Sequence, residues 1–135
     1  MSANGKITTF ARNGVVYVNR VGEGGTHRVA AGSAPTADEW GRYVAYEYNG
    51  GIWKANTKGA AQPSSLATVG LAPSMTAGGH FVFYVRGAIA TSNVYQDFGT
   101  CPSGDATQII GSPHGNYAAF GCDNGALYLS YIGKK

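Results

Sequence analysis

Few side chains in this sequence carry chemistry: three histidines, seven carboxylates and two cysteines. Metal ligation needs such groups at short, fixed spacings, so that one local element aims several of them at one ion. His27, His80 and His114 are far apart, and no His-x-His, His-Glu-x-x-His or Cys-x-x-Cys spacing occurs. The expectation is no metal and no cofactor. Glycoside hydrolysis needs two carboxylates facing each other across a cleft. Asp38-Glu39 is the only adjacent pair, and adjacent carboxylates on a turn face water, while a pair such as Asp38 with Asp105 is neither supported nor removed by sequence. Gly-x-Ser-x-Gly is absent, and Gly111-Ser112-Pro113-His114-Gly115 has the wrong spacing for a nucleophile elbow. Gly22-Glu23-Gly24-Gly25 precedes no helix, so it lacks the context of a phosphate cradle. These residues predict a protein that is not an enzyme.

The elements that must position these groups repeat along the chain. Four segments align: Lys6-Ile7-Thr8-Thr9-Phe10, Arg42-Tyr43-Val44-Ala45-Tyr46, His80-Phe81-Val82-Phe83-Tyr84 and Asn116-Tyr117-Ala118-Ala119-Phe120. Each follows a glycine (Gly5, Gly41, Gly79, Gly115) and closes on an aromatic, and these aromatics are 36, 38 and 36 residues apart. A turn and a returning strand follow each segment. Asn13-Gly14 and Asn49-Gly50 are strong hairpin signals, because a type I′ turn needs positive φ at both central residues. The third turn reads as a longer stretch over 87–93, and the fourth as Asp123-Asn124-Gly125. The returning strands are Val15-Val16-Tyr17-Val18, Ile52-Trp53-Lys54, Val94-Tyr95-Gln96 and Leu127-Tyr128-Leu129. A third piece recurs as Thr26-His27-Arg28-Val29, Ser65-Leu66-Ala67-Thr68-Val69 and Thr107-Gln108-Ile109-Ile110, each leading to a proline and a short strand. No stretch shows a helical apolar period. The whole reads as fourteen strands in one domain, with units at about 1–34, 35–72, 73–112 and 113–135.

Composition narrows the partners. Only 13% of residues are charged, against roughly 25% in an ordinary domain. Such a surface suits an extracellular protein or a subunit covered by neighbours. The net charge of +3 comes from ten scattered Lys and Arg; no stripe tracks a phosphate backbone, so nucleic acid is not an expected partner. No apolar run approaches the roughly 20 residues that span a bilayer. The first residues lack a signal peptide's basic and apolar regions; either secretion takes another route or a signal has been removed.

A strand after Pro-x-x-x-Gly, a turn, a strand bearing Ile-Trp or Leu-Tyr, then a Thr-rich strand resembles the TolB-type, WD40-like propeller repeat. The match is closest over 35–57 and 73–97, including Ser92-Asn93-Val94-Tyr95-Gln96-Asp97, and weaker copies cover nearly all of the rest. The family's Ser-Pro-Asp-Gly turn becomes Asp38-Glu39-Trp40-Gly41, Thr76-Ala77-Gly78-Gly79 and Ser112-Pro113-His114-Gly115, with only the glycine kept throughout. The resemblance implies an all-β fold of about four blades, a small, partial or oligomer-completed propeller. A β-trefoil would want threefold symmetry, which four hairpins contradict.

On that map Phe10, Tyr17, Tyr46, Trp53, Tyr84, Tyr95, Phe120 and Tyr128 are expected as core between blades. Trp40, which has no aromatic counterpart beside Gly79 or Gly115, joins Tyr48, His80 and His114 as candidates for binding. Cys101 falls in a loop after a third strand and Cys122 beside a hairpin tip. In a propeller those loops open on opposite faces, whereas a disulfide needs Cα atoms within about 7 Å, so both thiols are expected free. The function this implies is a non-catalytic binding or structural module, with a protein as partner, above all another copy of itself in a larger assembly. The first unit lacks an innermost strand and the last an outermost one, which would leave apolar faces bare in a lone monomer. A glycan-binding, lectin-like protein is the alternative, and a propeller accessory to a hydrolase the second. An extracellular or surface location, or a virion-like assembly, is favoured over a cytoplasmic one.

Overall fold

In the computed structural model, residues 5–22, 24–57, 62–93, 97 and 99–131 are described. They form fourteen strands and no helix. The first sheet joins β1 (Ile7–Arg12), β2 (Val15–Arg20) and β3 (Thr26–Ala31) in that order. The second runs β4 (Ser33–Ala37), β5 (Tyr43–Tyr48), β6 (Gly51–Asn56), β7 (Ser64–Ala67). The third runs β8 (Leu71–Met75), β9 (Val82–Arg86), β10 (Ile89–Ser92), β11 (Gly99–Thr100), and the fourth β12 (Ala106–Gly111), β13 (Tyr117–Cys122), β14 (Leu127–Tyr131). All pairings are antiparallel between sequence neighbours, so each sheet is an up-and-down blade. Among the described residues the first blade has no strand corresponding to β4, and the fourth has none corresponding to β7.

Local chemistry explains the turns. Asn13 and Asn49 adopt φ of 52° and 50°, followed by Gly14 and Gly50 at 76° and 77°, the paired positive dihedrals of a type I′ hairpin. In the third blade Gly87, at φ 58°, reverses the chain at once, and Ile89 pairs with Arg86. The returning strand paired with β9 is Ile89–Ser92, and the position expected for an aromatic holds Thr91 opposite Tyr84; the run at 94–96 expected to fill this role lies outside the described residues. Tyr95 lies outside the described residues. A second correction concerns Thr107-Gln108-Ile109-Ile110. This run is the first strand of the fourth blade, paired with β13, rather than the last strand of the third. The last strand of the third blade is Gly99–Thr100, too short to carry a sequence pattern. Pro35 and Pro73 sit inside β4 and β8, where the pairing register shifts between Ser33 and Thr36 and between Leu71 and Ser74. A bulge is where a strand tolerates a residue without an N–H.

The blades stand in a row and bury three cores between them. Val16 of the first blade meets Val44, Tyr46 and Ala55 of the second. Ala45 and Ile52 meet Met75, Val82 and Tyr84 of the third. Phe83, Val85 and Ala90 meet Ile109, Ala118 and Phe120 of the fourth. The two middle blades are thus apolar on both faces, as Val82-Phe83-Tyr84-Val85, all buried, makes plain. Backbone bonds stitch successive units: Gly32 N–H to Gly14 O, Gly70 N–H to Gly50 O and Ala106 N–H to Gly87 O, at 2.9, 2.9 and 2.8 Å.

Candidate interaction surface

The three turns leading into β5, β9 and β13 share more than their glycine. Asp38, Thr76 and Ser112 each use a side-chain oxygen to accept the backbone N–H of the residue five positions on: Tyr43 at 3.0 Å, Phe81 at 3.3 Å and Tyr117 at 3.1 Å. Asp38 is fully buried and also accepts from Arg42 Nε at 3.3 Å. Neighbouring turns are bonded to each other, Glu39 N–H to Ala77 O and Ala77 N–H to Pro113 O. Cations from the preceding blade reach into them. Arg20 Nη2 donates to Gly41 O at 2.8 Å and to Thr57 Oγ1, and Lys54 Nζ donates to Gly79 O at 2.8 Å. Lys54 Nζ also lies 4.3 Å over the Tyr43 ring. Burial pushes the Lys54 ammonium below its ordinary range, and the Asp38 carboxylate partly offsets this. These groups hold blades together and are already partnered within the protein.

The proposed binding residues are all exposed but do not converge. Trp40, His80 and His114 lie in or next to the turns before β5, β9 and β13, at one end of the blades. Tyr48 closes β5 at the opposite end, edge-on to Trp53 with centroids 6.0 Å apart. Beside Tyr48 is a shallow groove of about 310 Å³, bounded by Gly14, Ser33 and Glu47. Glu47 is engaged there, accepting the Ala72 N–H at 2.9 Å. Among the described residues no group of three His, Cys, Asp or Glu is placed to hold a metal ion. No helix of the described residues is long and apolar enough to cross a membrane.

Two expectations need correction. Cys101 and Cys122 are disulfide-bonded, with Cα atoms 5.9 Å apart. The expectation of free thiols rested on placing Cys101 at the wrong end. The outer strand β11 runs back toward the hairpin tips, since Thr100 pairs with Ile89 and Cys101 N–H donates to Ala88 O. Cys122 enters the tip of the next blade's hairpin, so both cysteines stand at one end. The bond ties the third blade to the fourth. The second correction concerns the repeated aromatics. Tyr46, Tyr84 and Phe120 are buried and Tyr17 and Trp53 half-buried, but Phe10 and Tyr128 are exposed. Phe10 stacks on its cross-strand partner Tyr17 at 5.3 Å, and Phe120 on Tyr128 at 5.4 Å.

Exposure of Phe10 leads to the bare end faces that the sequence predicts, whose residues it did not name. Val16, Ile52, Ala90 and Leu127 occupy one repeat position, each just before the residue opposite the closing aromatic. The first three are 0% exposed, because the next blade covers them, and Leu127 is 75% exposed. Around it on the same outer face of the fourth blade lie Ile110, Tyr117, Leu129 and Tyr131, all exposed. Tyr117 and Tyr131 pack edge to face at 5.0 Å, and a groove of about 440 Å³ runs beside Ile110, Ala119 and Leu127. The opposite end of the row is bare too: Phe10 is 38% exposed where Tyr46, Tyr84 and Phe120, its equivalents, are 2%, 6% and 3%.

The arrangement of blades finds a counterpart among solved structures. The crystal structure of TolB from Acinetobacter baumannii superposes with a TM-score of 0.64 over 95% of this chain, at 12% identity. The fold is TolB-like. The match covers 41% of the TolB chain, so this sequence spans less than half of that protein. No family model matches the sequence, and no curated protein matches it.

Proposed function

We propose that this chain is a non-catalytic protein-interaction module, a divergent relative of TolB-type propeller repeats whose working surfaces are the outer faces of its end blades. One observation carries the reading: Leu127 is 75% exposed at a repeat position where Val16, Ile52 and Ala90 are 0% exposed. A bare face of Ile110, Leu127, Leu129 and Tyr131 on a small protein marks an interaction site. Its aromatic and aliphatic make-up, without a charged group, matches the core of a protein–protein interface. The Cys101–Cys122 disulfide fits an oxidising compartment, in keeping with a surface or extracellular location.

The test places a photo-crosslinking amino acid at position 129 of the full chain in its native extract and, in parallel, applies the chain to a glycan array. Protein adducts from position 129, absent when the probe sits at exposed Val69 on the second blade, are the expected result. Glycan binding unaffected by Leu127→Asp, with no protein adduct, would overturn the reading.

A further inference from the structure

Each internal junction of the row is built the same way. The closing aromatic of one blade (Tyr46, Tyr84 or Phe120) lies against the preceding blade, in the core that also holds Val16, Ile52 or Ala90. The first blade carries that aromatic as Phe10, with no blade before it among the described residues. The fourth blade carries the receiving position as Leu127, with no blade after it among the described residues. One end of the molecule is thus the insert, and the other the seat, of a junction the chain makes three times internally. We infer that the partner of the fourth blade's outer face is the first blade of a second copy of this chain, docked head to tail so that its Phe10–Tyr17 stack lies against Leu127 and Leu129. This rests on the interaction-module reading above and names its partner.

Both faces are exposed parts of sheets whose repeat-equivalents are buried against each other inside the same molecule. The two sides also fit in chemistry. The seat offers Ile110, Leu127 and Leu129, and the insert offers two stacked rings flanked by Arg12 and Arg28, which supply a polar rim around an apolar centre. Such a contact is heterologous: it closes into a ring where the rotation allows and otherwise extends. Two chains of four blades would give eight, within the roughly 4–8 blades that propellers use.

Complementation distinguishes this contact from every other. Light scattering after gel filtration should give the wild-type chain a mass at least twice its 14.0 kDa. Phe10→Asp removes the insert and Leu127→Asp the seat, and each alone should be a monomer. Mixed in equal amounts, the two variants retain one intact insert and one intact seat, and should pair into a dimer that grows no further. Circular dichroism with an unchanged β signature shows that each variant folds, and recovery of the pair shows it again. A wild-type monomer at all concentrations overturns the inference, as does a Phe10→Asp variant that stays associated, since the fourth blade would then pair with itself. A monomer that still yields adducts from position 129 with an unlike protein overturns this inference alone and leaves the interaction module standing. Absence of protein adducts overturns both.

Discussion

Asp38 closes a turn, anchors Arg42 and is fully buried. Removing its oxygens leaves the Tyr43 N–H without its acceptor, so Asp38→Ala should cost about 1–3 kcal/mol. Asp38→Asn keeps one acceptor and should cost less; equal losses for the two in urea denaturation would contradict the turn role. The glycine that recurs in these turns is legible in sequence, because Gly41, Gly79 and Gly115 take φ of 68°, 76° and 80°, a region glycine enters without steric cost. The oxygen at its first position is not, because Asp38, Thr76 and Ser112 differ as residue types and share only an acceptor. A further consequence concerns alkaline pH. Burial raises the Tyr46 and Tyr84 phenols above their ordinary 10.0, with Tyr48 adding to the first and Arg86 opposing the second. Unfolded tyrosines ionise near 10, where the folded chain still holds these two protons. Stability is therefore intact below that pH and falls as pH rises from it toward the folded pKa values. Lys54 works in the opposite sense, since its ammonium is disfavoured in the fold, which makes the comparison with a Tyr46→Phe, Tyr84→Phe variant the informative one. That variant should lose less of its melting temperature above pH 10; parallel curves would contradict the burial of the two phenols.

At the scale of elements, the hairpins follow from sequence wherever an Asn-Gly pair announces them, and the strand that escaped is the one whose turn is Gly87-Ala88. A single glycine with φ 58° does the work of a longer loop there, and the misplaced returning strand carried Cys101 to the wrong end of its blade. The disulfide is a long-range consequence of a two-residue turn. It closes a loop of 21 residues between the third and fourth blades, which chain-entropy reasoning values at about 3 kcal/mol. Thiol titration of the denatured, unreduced chain should find no free thiol, and the Cys101→Ser, Cys122→Ser variant should lose about that much stability. Two free thiols per chain would contradict the arrangement of β11 against β10.

For the whole molecule, spacings of 36, 38 and 36 residues between aromatics were enough to read four blades from the sequence alone. The count of fourteen strands agrees only in total, because Gly99–Thr100 closes the third blade and the run at 107–110 opens the fourth. Bare faces were expected at the two ends, but the residues that form them were not legible. Phe10 and Tyr46 hold one repeat position, as do Leu127 and Ile52, and nothing in residue type says which of each pair has a neighbour. Exposure is set by the next blade along, so it emerges only when the row of sheets is assembled and its ends are found. The likeness to TolB extends over 41% of that chain and supplies the architecture of the row. Hydroxyl-radical footprinting of the chain over a range of concentrations tests most directly whether a second copy covers the ends of the row, by comparing Phe10, Leu127 and Leu129 with buried Ile52 and exposed Val69. Protection of all three approaching that of Ile52 at high concentration, and lost on dilution, is the expected result; labelling of all three at the rate of Val69 at every concentration would contradict it.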